Sequence, residues 1–106
     1  MPTFPDRERE FEARFRHDEE LRFKVTARRN HMLGLWAAGL LGLAGEAAET
    51  YASAVVAAQF GPGGDEQVVA KLTADLCAKD PGVTPARVQF ELEHFAVQAK
   101  QQLMKE

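Results

Sequence analysis

The chain has 106 residues, with 13 Lys and Arg against 16 Asp and Glu, a formal net charge of -3 and 45% hydrophobic residues, the balance of one soluble globular domain. Every basic run is interleaved with acid, which excludes the clustered, uncompensated charge that binding to a nucleic-acid backbone needs. The longest uncharged stretch around the tryptophan, residues 32–45, falls short of the roughly 18 residues of a spanning helix, and one cysteine, Cys77, allows no internal disulfide.

The first predicted element is a long helical run from Asp6 to Gly42 that contains no proline. Its first part, residues 6–29, is dense in charge of both signs, with the acid four residues before the base in Glu10 and Arg14, Glu12 and Arg16, Asp18 and Arg22, Glu20 and Lys24. Each exposed pair contributes roughly 0.2–0.5 kcal/mol, enough to bias the segment toward helix and too little to hold it rigid. The result is a conditional helix. On it Phe4, Phe11 and Phe15 fall within about 40° of one another on a wheel advancing ~100° per residue. Two readings compete: aromatic anchors entering a partner's groove, or rings packed back on the chain's own core. Nearness to the terminus and the flanking charge favour the interaction reading.

From Met32 to Ala44 the run MLGLWAAGLLGLA carries no charge, and a helix apolar all round is a central one. Leu33, Trp36, Leu40 and Leu43 form a bulky side, expected to fill the core. Gly34, Ala38 and Gly42 form a small side that lets a neighbouring backbone approach. Gly34 and Gly39 each cost up to about 1 kcal/mol of helix propensity, which close approach is expected to offset.

Glycine and proline then punctuate the chain at Gly45, residues 61–64 and residues 81–82. Ala48, Tyr51, Ala52, Val55 and Val56 recur at helical spacing over about 46–60. Val68, Val69, Leu72 and Leu76 do so after Asp65, read as an N-cap. Thr84 and Pro85 supply an N-cap and first-turn proline for a stripe of Val88, Leu92, Phe95, Ala96, Ala99 and Leu103. No segment alternates with a period of two, so the expected fold is all-α: a four-helix bundle over 18–106 with a long first helix, whose charged part, residues 1–17, is mobile.

No catalytic constellation emerges. His17, His31 and His94 lie far apart, Cys77 has no local His or Asp partner for a nucleophile, and HDEE at 17–20 lacks the His pair and spacing of a metal-binding helix. His17 reads as a solvated helix residue and Cys77 as a buried small hydrophobe. GPGG at 61–64 lacks the Lys and Ser/Thr that follow a phosphate-binding loop and reads as a flexible turn. The expectation is a protein without enzymatic activity, cofactor or metal.

The motifs DRE at 6–8, EARF at 12–15, HDEELRFK at 17–24, ARRN at 27–30, GLWAA at 34–38 and GDE at 64–66 resemble the zeta subunit family of alpha-proteobacterial F-type ATP synthases. The resemblance covers nearly the whole chain. Two positions depart from it: Gly39 stands where a longer, often acidic residue is usual, and Pro5 lies inside the inhibitory end. The resemblance implies an ATPase inhibitor whose N-terminal segment, mobile when free, becomes helical on wedging between alpha and beta subunits beside the gamma shaft of the catalytic head. By matched position, Phe4, Asp6, Arg7, Glu8, Arg9, Phe11 and Phe15 are the partner-binding residues. The expected location is cytoplasmic, at the synthase head on the inner membrane, with no leader peptide and no membrane insertion. A small helical nucleotide-sensing domain, binding nucleotide weakly, and an adaptor with another partner are the alternatives.

Overall fold

A computed structural model describes residues 4–106, apart from the side chain of Phe4. The described residues fold into five helices and no strand: α1 (Phe4–His17), α2 (Glu19–Leu40), α3 (Gly45–Ala58), α4 (Asp65–Lys79) and α5 (Pro85–Lys105). The all-helical class agrees with the sequence, but the single long first helix does not. It is divided at Asp18, whose φ of -109° and ψ of 103° are extended.

The division has a local cause. The Asp18 side chain accepts a hydrogen bond from the Leu21 amide at 3.1 Å, so it caps α2, and Glu19 and Glu20 follow in the first turn beside the positive end of the helix dipole. Of the four expected ion pairs only Glu20 with Lys24, at 3.5 Å, closes among the described residues. Asp18 instead reaches back to Arg14 at 3.9 Å, and Arg22 meets Glu19 at 4.0 Å.

α2 is the central helix, in contact with all four others. Its small side works as expected at one glycine: a Cβ on Gly34 would stand 2.7 Å from the Ala52 Cα, so the α2 and α3 backbones cross in near contact there. The other glycine departs from expectation. A Cβ on Gly39 would meet nothing within 4 Å, so no close approach offsets its propensity cost. The bulky side is only partly a core face as well. Leu33 is buried and Trp36 half-buried, while Leu40 is exposed.

α2 ends in a hydrogen-bonded cap that bends the chain into α3. The Leu43 amide donates to the Ala38 carbonyl and the Gly42 amide to that of Gly39, with Gly42 at φ 80°. This is the left-handed stop that glycine adopts at least cost. Thr84 and Pro85 start α5 as predicted, the threonine hydroxyl accepting from the Arg87 amide. Asp65 is not the cap of α4. Gly64 occupies that position without a side-chain bond, and Asp65 is the first helical residue.

The main core joins α2 to α5 through Leu33, Ala37, Val55, Val68, Leu72, Leu76, Val88 and Leu92, with Trp36, Tyr51 and Phe95 packed against it. The predicted stripes of α3, α4 and α5 supply most of it. A second, smaller cluster joins Phe11, Leu21, Val25 and Ala99, flanked by Phe15, Leu103 and Met104. It ties α1 to α2 and the end of α5. The molecule measures 50 × 29 × 23 Å, and its 15.0 Å radius of gyration exceeds the about 13 Å of a compact chain of this length.

Candidate partner-binding segment

α1 begins with Pro5 in its first turn, where the missing amide is harmless. Asp6 lies near the start, and Arg14, Arg16 and His17 occupy the last turn, an order that complements the helix dipole. Within the predicted set, Asp6 accepts a hydrogen bond from Arg9 at 3.2 Å. Arg7, Glu8 and Arg9 are exposed. The backbone of Phe4 opens the helix, while its side chain and residues 1–3 lie outside the described residues.

The two remaining aromatic residues face inward. Phe11 is 5% exposed and belongs to the second cluster, and Phe15 is half-buried at its edge. Above them Lys100 of α5 serves two contacts. Its Nζ donates to Glu12 Oε1 at 3.2 Å and lies 4.0 Å from the centre of the Phe15 ring, within cation–π range. Toward the start of α1 a cavity of about 220 Å³ is lined by Arg7, Gln101, Met104 and Lys105. The charge density of residues 6–29 pointed to an unpacked aromatic edge. In the structure Phe11 and Phe15 of that edge lie on the chain's own helices.

Sequence reasoning missed the receiving surface on α5. Its signal was the stripe through Ala99 and Leu103, which runs beyond the part of α5 that the main core uses and so needs another cover. Lys100, one of five bases in the acidic residues 31–106, was the second clue.

Also missed was a buried polar cluster. Arg29 and Asn30 are 7% and 0% exposed. Arg29 Nη2 donates to Asp65 Oδ1 at 2.8 Å and to Gln59 Oε1 at 3.0 Å, Nη1 reaches Asp65 Oδ2 at 3.4 Å, and Nε donates to Asn30 Oδ1 at 3.0 Å. Asn30 and Gln59 close the set, Asn30 Nδ2 donating to Gln59 Oε1 at 2.9 Å and Gln59 Nε2 to Asp65 Oδ1 at 3.0 Å. Hydrogen bonding from Arg29 holds the Asp65 carboxyl below its ordinary pKa against the opposing effect of burial, with Gln59 and the Arg29 charge adding to the lowering. Among the described residues no buried side-chain polar atom is left without a partner. The cluster anchors the turn between α3 and α4 to the middle of α2.

That turn contains GPGG, and its glycine amides are occupied internally. Gly61 donates to Ala58, Gly64 to Gly61, and Gly63 to the Gln67 side chain. Gln67 also fills the space beside Gly61. A phosphate would find no cradle of free amides there. The Cys77 thiol, half-buried, donates to the Val83 carbonyl at 2.9 Å, and His17 is exposed. No group of His, Cys, Asp and Glu among the described residues could hold a metal ion, and no helix among them is long and apolar enough to cross a membrane.

Compared with known proteins, the chain matches the family model described as ATPase inhibitor subunit zeta over residues 1–102. No curated protein matches it.

Proposed function

The chain belongs to the ATPase inhibitor subunit zeta family, and from that premise we propose that α1 is the inhibitory element, entering an alpha/beta catalytic interface of the F-type ATP synthase head beside the gamma shaft. The family supports a role as an inhibitor associated with the synthase. The finer reading draws its support from one observation: α1 is a separate 14-residue helix joined to the body by the single extended residue Asp18. A helix so joined can change its neighbours without unwinding α2.

In this reading Phe4, Phe11 and Phe15 fill apolar recesses of the closing interface, while Asp6, Arg7, Glu8 and Arg9 meet its polar walls and fix the depth of entry. The wedge fits one conformation of the interface and blocks the rotation that must pass through it. Hydrolysis stops. Synthesis turns the shaft the other way and expels the helix. The protein performs no chemistry itself, and it works in the cytoplasm at the head of the synthase.

The test is ATP hydrolysis by the purified catalytic head with the full chain and with a chain lacking residues 1–17. The full chain is expected to inhibit and the shortened chain to have lost inhibition, with circular dichroism verifying that α2 to α5 stay folded. Equal inhibition by a folded shortened chain refutes the assignment.

A further inference from the structure

Two of the residues that would enter the partner, Phe11 and Phe15, are ones that α1 turns toward its own protein. Phe11 is 5% exposed against Leu21, Val25 and Ala99. Phe15 lies under Lys100, which also holds Glu12. A ring cannot occupy this cluster and a partner's recess at the same time, so binding through Phe11 and Phe15 must first break their contacts with α2 and α5.

Resting on the inhibitor role proposed above, we infer that the docked arrangement of α1 is a self-blocked form of the protein: the face of α5 carrying Ala99, Lys100 and Leu103 competes with the synthase head for the aromatic edge of α1. Three features suit this contact to release. Among the described residues it rests on one buried ring, one half-buried ring and one ion pair whose side chains are 28% and 43% exposed, against the larger core that holds the other four helices together. Among the described residues, a cavity of about 220 Å³ lies at the Arg7 end, lined by Arg7 of α1 and by Gln101, Met104 and Lys105 of α5. Asp18, being already extended, lets α1 leave without the loss of any helical turn in α2.

The consequence is quantitative. Only the undocked fraction binds, so the apparent affinity equals the intrinsic affinity multiplied by that fraction. If about nine molecules in ten are docked, full release tightens inhibition about tenfold. The α5 face acts as an intramolecular competitor, and any change that weakens it makes a stronger inhibitor without altering α1.

The test uses the full chain with substitutions confined to α5. Lys100→Glu sets a like charge against Glu12 and removes the cation from Phe15; Lys100→Ala removes the attraction alone. Lys100 is partly exposed, so neither change threatens the main core. Two quantities are read: amide hydrogen exchange across residues 5–17, compared with a free peptide of that sequence, and the half-inhibitory concentration on the purified catalytic head. Expected are slowed exchange in the unaltered chain, about tenfold faster exchange in Lys100→Glu and a half-inhibitory concentration lower by a similar factor, with Lys100→Ala in between. Exchange in the unaltered chain already at the peptide rate overturns the proposal, and so does faster exchange accompanied by unchanged or weaker inhibition. Both results leave the inhibitor role standing. Absence of inhibition by all three proteins instead removes that role and this inference with it.

Discussion

Gly34 and Ala52 approach so closely that a Cβ on the glycine would lie 2.7 Å from the alanine Cα and 3.1 Å from its Cβ. The first of these atoms is backbone, so relief requires α2 and α3 to move apart along the interface that buries Ala37 and Val55. Gly34→Ala is expected to destabilise the protein by about 1–3 kcal/mol. Gly39→Ala, on the same helix with open space around it, is expected to stabilise by up to about 1 kcal/mol. Denaturant unfolding of both variants checks the contrast. Equal effects at the two positions contradict the account of the interface.

The Arg29 cluster predicts a large effect from a residue whose type is usually superficial. Arg29→Ala leaves Asn30 and Gln59 short of partners inside the protein, and a loss of about 2 kcal/mol is expected, since Asp65, the partner charge, is partly hydrated. A fall in thermal midpoint of about 4–8 °C per kcal/mol would report it.

The same cluster gives a pH dependence with a definite sign. The Asp65 carboxyl has a lowered pKa in the folded state, mainly through hydrogen bonding to Arg29. Its contribution is therefore complete above the unfolded value of about 3.9 and lost as pH falls through the lower folded value. Asp65→Asn is expected to lower stability at neutral pH and to flatten the acid side of the stability curve. Urea midpoints from neutral pH down to pH 2 test this, and two parallel curves would count against the linkage.

Phe11→Ala separates the two ends of the molecule. Phe11 belongs to the second cluster and not to the main core, so its truncation is expected to loosen α1 while leaving the cooperative unfolding of α2 to α5 nearly unchanged. Exchange of α1 amides should quicken with little change in the thermal midpoint. A drop of several degrees would mean that α1 is integral to the body.

Asp18→Ala removes the side-chain cap of α2 and the contact to Arg14. About 1 kcal/mol of helix stability is expected to go, with the loss confined to the first turn of α2 in exchange measurements. Asp18→Asn, which can still cap, should recover most of it.

Much of the fold was legible in the sequence because the signals were local. Thr84 followed by Pro85 fixed the start of α5, and the stripes through Val55, Leu72 and Leu92 identified the buried sides of three helices. Asp18 was misread because an aspartate four residues before Arg22 looks like a helical ion pair. The same carboxylate can end one helix and cap the next, and sequence spacing does not separate these uses. Nothing local marks Arg29 off from the other charges of residues 6–29; its burial depends on Gln59 and Asp65, which only the tertiary fold brings near. At the candidate site the aromatic edge of α1 was plain from its spacing. Its placement against Ala99 and Lys100 was not, because that pairing joins residues some ninety positions apart.

The slenderness of α1 and the breadth of the rest set a limit on travel. Fourteen residues at ~1.5 Å each make a rod of about 21 Å with a diameter of about 10–12 Å, while the molecule is 29 × 23 Å in its two shorter dimensions. A cleft that admits the rod would halt the remainder at its mouth, as a flange halts a pin. Under the proposed function, the reach of the inhibitor is then gauged by the distance from Phe4 to Asp18, and lengthening α1 by one turn would drive its tip about 5 Å deeper.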